Sequence, residues 1–234
     1  MEVLAHSEAR AREIVNAFMI KVYNWMAAGL AITGVVAYYV ASNETMIRYL
    51  LSHQILFFGL IIVELIMVIA LAGFVQKMSG TTASAVFILY SVLNGVTLST
   101  IFLIYARATI ATTFFITAGT FAACSFYGIT TKRDLTSWGG FLFMGLIGII
   151  IASVVNIFVK SSGLSLAISY IGVFIFIGLT AYDTQKIKAL ALSRPAEIDS
   201  DTEQRGAIVG ALTLYLDFIN LFLLLLRIFG GSRD

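Results

Sequence analysis

Three carboxylates stand where a carboxylate is costly. Glu64, Asp183 and Asp217 lie within or at the edge of long apolar stretches, and an acid in hydrocarbon must be protonated, paired or wetted to persist there. Each is therefore a candidate for function, set against the plainer reading of a neutral acid that hydrogen-bonds across helices. Asp183 closes one apolar stretch, and Asp217 sits well inside the next. Their depths match if the helix carrying Asp183 continues past it or the helix carrying Asp217 begins late. Two carboxylates that meet in a poorly solvated place do not cheaply both ionise. Such a pair would share a proton, and could sense pH or bind a divalent cation.

Other chemistries lack their residues. Cys124 is the only cysteine, and His6 and His53 are the only histidines, so an internal disulfide, a cysteine metal cluster and a multi-histidine membrane hydrolase are all excluded. Every lysine flanks an apolar stretch, which leaves no mid-helix amine for a retinal Schiff base. Asp199-Ser200-Asp201-Thr202-Glu203 starts like a calcium loop but carries Gln204 where glycine is required and Gly210 where the bidentate acid belongs. A solvated acidic loop is the expectation there. An intramembrane aspartyl protease is a minor alternative, because Tyr182-Asp183 matches one of its motifs. The second motif needs glycines before its aspartate, whereas Tyr215 and Leu216 precede Asp217.

These side chains must be positioned by membrane helices. Of 234 residues 59% are hydrophobic and 12% charged, with one proline, which is more apolar chain than a soluble core of that length can hide. A formal net charge of +2 gives no footprint for nucleic acid. Apolar blocks run from about Val22 to Ala41, Ile55 to Val75, Ala83 to Tyr105, Thr109 to Thr130, Trp138 to Val159, Leu164 to Ala181 and Ala207 to Phe229. Each approaches the roughly 20 residues that a helix needs to cross hydrocarbon. The fold expected is an all-α integral membrane protein with seven spans. It would have an N-terminal segment 1–21, a single membrane domain 22–230 and a short tail 231–234. No cleaved signal peptide is read at the N-terminus.

Seven crossings place the termini on opposite faces. Ten Lys and Arg residues fall on the N-terminal side (Arg10, Arg12, Lys21, Lys77, Lys132, Arg133, Lys186, Lys188, Arg194, Arg205) and five on the other (Arg48, Arg107, Lys160, Arg227, Arg233). The positive-inside rule then puts the N-terminus in the cytoplasm and the C-terminus outside. Trp25, Tyr38, Tyr39, Tyr105, Tyr127 and Trp138 fall near span ends, as aromatic belts do. Small residues four apart, such as Gly119 and Ala123, would let helix backbones approach closely.

The stretches Tyr182-Asp183-Thr184-Gln185-Lys186-Ile187 and Leu214-Tyr215-Leu216-Asp217-Phe218-Ile219-Asn220-Leu221-Phe222 resemble the transmembrane Bax inhibitor motif family. The likeness extends through Lys21-Val22-Tyr23-Asn24-Trp25-Met26, Asn94-Gly95 to Ser99, Lys132-Arg133-Asp134-Leu135 and Asn156-Ile157-Phe158, and the short tails resemble a bacterial member. The resemblance implies a seven-helix bundle with the last helix central, in the cell membrane (the inner membrane in a bacterium), that leaks calcium in a pH-dependent manner. It makes Asp183 and Asp217 the pH sensor and gate, and Glu64 part of the ion path. The three carboxylates would be weak oxygen ligands for a passing Ca2+, with no resident cofactor. The family's latch arginine aligns near Val75, so Lys77 is the possible latch here, as a point charge in place of a bidentate guanidinium. The family also implies a second reading, regulation through a membrane-bound ATP-dependent protease or of stress and cell-death responses. Such a partner would grip Met1–Ile20, a stretch that otherwise reads as an interfacial helix. Deleting residues 2–12 would separate the two readings, because transport should survive and a partner contact should not.

Overall fold

The computed structural model describes residues 2–193 and 199–230, with side chains from residue 13 onward; the tail 231–234 lies outside the described residues. All the secondary structure described is helical: α1 Glu2–Ser42, α2 Glu44–Ser52, α3 Gln54–Phe74, a 3-10 turn Val75–Lys77, α4 Gly80–Leu98, α5 Ile101–Ile104, α6 Arg107–Thr130, α7 Thr136–Val159, α8 Ser162–Leu192 and α9 Ser200–Phe229. Among the described residues seven helical stretches are long and apolar enough to cross a membrane, the first being Glu13–Ser42 and the last Ser200–Phe229. The chain is an all-α, multi-pass membrane protein. With 24 residues each, α6 and α7 are about 36 Å long at 1.5 Å per residue, enough for the roughly 30 Å hydrocarbon core.

Several helices overrun the apolar blocks that announce them. The first extends back to Glu2. Helix α8 continues past Ala181 to Leu192, because Thr180, Thr184, Ile187 and Ala191 form a buried stripe at helical spacing and no proline intervenes before Pro195. The acidic stretch expected as a solvated loop is instead the first turn of α9, where carboxylates complement the positive end of the helix. Asp199 starts that helix, its carboxylate accepting the Thr202 N–H at 2.8 Å, and Asp134 accepts the Thr136 N–H at 2.8 Å where α7 begins.

Hydrogen bonds from Thr202 and Thr136 hold the Asp199 and Asp134 carboxyls below the usual carboxylate range. A value lowered by folding stabilises above the unfolded value, near 4, and that contribution disappears as pH falls through the folded value. Amide exchange at Thr136 and Thr202 is accordingly expected to accelerate in acid once intrinsic exchange is allowed for. In Asp134→Ala and Asp199→Ala it should already be fast at pH 7, with no acid step.

The chain packs as two compact units, dividing at Ile104/Tyr105, Ala189/Leu190 and Tyr215/Leu216. One contains α1 to α5 and the first half of α9. Within it α1 and α3 pack chiefly on α4, and the rings of Phe87 and Tyr90 meet Tyr215 edge to face at 5.8 and 5.6 Å between centroids. The other contains α6, α7, most of α8 and the second half of α9. Leu142, Ile175, Phe176, Leu179, Leu221 and Leu225 form its core, and Phe114 and Phe121 of α6 pack on Phe218 of α9 at 5.4 and 5.6 Å. Helix α9 is the most buried span, with 67% of its most apolar stretch covered against 6% for α7.

Close helix approach falls at Gly128, whereas Gly119 faces open space. A Cβ on Gly128 would strike the carbonyl oxygen of Ala181 and come within 3.0 Å of Thr184, while one on Gly119 meets nothing within 4 Å. Gly128→Ala is expected to destabilise the folded protein by about 1–3 kcal/mol, the cost of overpacking a backbone contact. Gly119→Ala should change little, and thermal unfolding in detergent would compare the two.

Candidate functional site

The extension of α8 changes where the first of the two aspartates sits. Asp183 lies within a continuous helix rather than at its end, and it comes close enough to Asp217 for the two charges to interact. Asp217 is 5% exposed, and its Oδ2 is buried with no hydrogen-bond partner. Asp183 is half-buried and also feels the ammonium of Lys186, whose Nζ stands 5.9 Å from the Tyr182 ring centroid. Around the pair, α6 and α8 are joined by the Ser125 and Thr184 hydroxyls at 3.2 Å. The chemistry available is that of two acids, one deeply buried with an unused oxygen, able to exchange a proton or meet a cation.

Glu64 is 8% exposed and has partners. The Thr97 hydroxyl donates to its Oε1 at 3.0 Å and the Asn94 amide to its Oε2 at 3.2 Å. The network continues beyond Asn94: the Tyr215 hydroxyl donates to Asn94 Oδ1 at 2.9 Å and lies 2.6 Å from the Thr33 hydroxyl, which donates to the Ser91 carbonyl at 2.8 Å. Helices α1, α3, α4 and α9 are thus tied by one buried polar chain. Each hydroxyl carries a single hydrogen, so with Thr33 serving Ser91 and Tyr215 serving Asn94, none remains for the 2.6 Å contact between them. Inverting the Asn94 amide mends this, since its N–H then serves Tyr215 and frees the phenolic hydrogen for Thr33. Asn94 Oδ1 then faces Glu64 and requires a hydrogen from position 64.

Lys77 ends the 3-10 turn after α3, its Nζ 5.6 Å from the Phe74 ring centroid. The residue that grips this turn is Arg205, which donates to the carbonyls of Gln76 at 3.4 Å and Met78 at 3.0 Å. Asp201 accepts the Gly80 N–H at 2.6 Å, Gln204 donates to Ser84 at 2.9 Å, and Glu203 pairs with Lys21 at 3.3 Å. The start of α9 therefore clasps the α3–α4 connection. Among the described residues no three His, Cys, Asp or Glu side chains converge to hold a metal ion.

Thr33, Thr97 and the Arg205 clasp escape a reading of the sequence. Helical threonines give little signal because many satisfy their own backbone, as Thr117 and Thr180 do on the carbonyls four residues back. For the clasp a signal existed: Asp199 before an acidic first turn is a helix start.

Comparison with known proteins places these residues in a family. The model described as Inhibitor of apoptosis-promoting Bax1 matches residues 15–234. The inner membrane protein YbhL of Escherichia coli K12 is 49% identical over 227 residues, covering 97% of each chain. An uncharacterized protein of Borreliella burgdorferi is 49% identical over 221 residues, 94% of each chain. One from Deinococcus radiodurans is 44% identical over 234 residues, covering all of this chain and 98% of its own. With a matching model over nearly its whole length and relatives this similar end to end, the chain belongs to the Bax inhibitor-like family of membrane proteins.

Proposed function

We propose that this protein is a pH-sensitive calcium leak whose opening is governed by Asp183 and Asp217. One observation carries the reading. Asp217 is buried beside a second carboxylate with one oxygen unpartnered, an arrangement that weakens a membrane core and gives a proton or a cation a reason to enter it. Protonation changes the interaction of α8 with the second half of α9, and a shift of these helices opens the path. Glu64 offers a carboxylate to the permeating ion, whose oxygen preference it suits, and Lys77 serves as the latch at the end of α3. The N-terminus lies in the cytoplasm and the C-terminus outside, in an inner membrane like that named for the relative from Escherichia coli. The activity is transport, not catalysis. A regulatory contact with a membrane-bound ATP-dependent protease is the second reading, favoured by the helical residues 2–12 that precede the first span.

The test is reconstitution in liposomes holding a calcium dye, with influx followed from acid to alkaline pH. Wild type should show pH-dependent influx above empty liposomes, and the Asp183→Asn, Asp217→Asn double variant should lose the pH dependence. Influx no greater than in empty liposomes at any pH would reject the leak and favour the regulatory reading.

A further inference from the structure

The connection between α6 and α7 carries more positive than negative charge. A recess of about 470 Å³ opens there, with Lys132, Arg133, Asp134, Tyr182, Gln185 and Lys186 in its wall. Three of these are cations and one is an acid. The acid's carboxylate accepts the Thr136 N–H at 2.8 Å, and its single negative charge leaves the cations of the wall in excess. Among the described residues the salt bridges join Lys21 to Glu203, Arg48 to Glu44 and Arg205 to Asp201; none includes Lys132 or Arg133, while Lys186 interacts with the charge of Asp183.

The cations stand on a fixed frame. Gln185 accepts the Leu135 N–H at 2.8 Å and donates to the Arg133 carbonyl at 2.8 Å, so one side chain of α8 clamps the connection on both sides of Asp134. Lys188 donates to the Ile129 carbonyl at 2.6 Å and fixes the end of α6. A ligand that settles among these side chains therefore has little backbone left to order.

Depth identifies the ligand. The recess lies where α6 ends at Thr130 and α7 begins at Thr136, both helices being just longer than the hydrocarbon core. Tyr127 and Trp138, 47% and 60% exposed, flank the connection as interfacial aromatic residues do. At that depth the abundant anion is a lipid headgroup. We propose that this recess binds the phosphate of an anionic membrane lipid, with Arg133 providing a guanidinium fork and Lys132 and Lys186 point charges. This site is independent of whether calcium crosses the membrane, and its test involves no flux.

Native mass spectrometry of the full-length protein, released from micelles with equal phosphatidylglycerol and phosphatidylcholine, reads the preference directly. Wild type should retain phosphatidylglycerol over phosphatidylcholine. The double variant Lys132→Gln, Arg133→Gln should lose roughly tenfold or more of that preference, while Arg48→Gln, Lys160→Gln, equal in charge but elsewhere, should keep it. Both doubles change exposed side chains, and their unfolding midpoints should match wild type. Equal phosphatidylglycerol retention in Lys132→Gln, Arg133→Gln and wild type would overturn the proposal. So would displacement of the lipid by millimolar inorganic phosphate, which would make the ligand a soluble anion.

Discussion

Asp217→Leu should raise the stability of the purified protein while making the calcium flux proposed for it insensitive to pH. The carboxylate at 217 is 5% exposed, has an oxygen with no partner and lies beside Asp183. An unsatisfied buried polar group costs about 1–3 kcal/mol, and replacing buried charge by apolar side chains is often neutral or stabilising by about 1–4 kcal/mol. Leucine branches at Cγ as aspartate does, so it fits a site of similar shape without bringing a polar atom. Asp217→Asn keeps the shape but adds N–H donors that need acceptors, so it should gain no stability while also losing the pH response. Chemical unfolding in detergent and flux in liposomes, run on the same preparations, read both quantities. A loss of more than about 1 kcal/mol in Asp217→Leu, beyond the small overpacking penalty a leucine brings, would mean that the carboxylate is structural cement. Stability gained together with pH response lost would identify Asp217 as a residue kept for function at the expense of the fold.

The seven spans were legible because hydrocarbon imposes a length and a composition that any sequence must meet. Hydropathy reports only that slab, however, and the helices do not stop where it does. Residues 182–192 of α8 and 200–206 of α9 are helical outside the apolar blocks, held by a buried stripe in one case and by Asp199 and an acidic first turn in the other. The matching depth of Asp183 and Asp217 hangs on the extension of α8, so the residues were readable and their approach was not. Glu64 stood out as an acid in a span. Its partners Thr97, Asn94, Tyr215 and Thr33 did not, since polar side chains on four helices become a network only once the packing assigns them facing sides. The clasp of Arg205 and Asp201 on the α3–α4 turn was hidden differently, by charged residues whose ordinary fate is solvation.

That network supports the second large expectation, in which the hydrogen balance distinguishes substitutions that look equally conservative. Glu64→Leu strips the Asn94 side chain of its partner at position 64, while the Thr97 hydroxyl keeps the Asn94 backbone carbonyl at 3.0 Å, and Tyr215→Phe removes the hydroxyl set between Thr33 and Asn94. Each should lower stability by about 1–3 kcal/mol, the usual result of orphaning buried polar groups. Glu64→Gln should cost much less. Its carbonyl accepts from Thr97, and its N–H provides the hydrogen that Asn94 Oδ1 needs once the Asn94 amide has turned toward Tyr215. The amide is then the pivot, so Glu64→Gln and Tyr215→Phe should be non-additive although the two side chains share no hydrogen bond. A coupling of about 0.5 kcal/mol or more is expected from a double-mutant cycle, and Asn94→Ala should abolish it. Additive behaviour, or a Glu64→Gln variant as damaged as Glu64→Leu, would mean that the glutamate is held only by its immediate partners. Coupling through Asn94 would mean that whatever hydrogen position 64 carries is felt at α1 and α9, two helices that no hydrogen bond from Glu64 reaches directly.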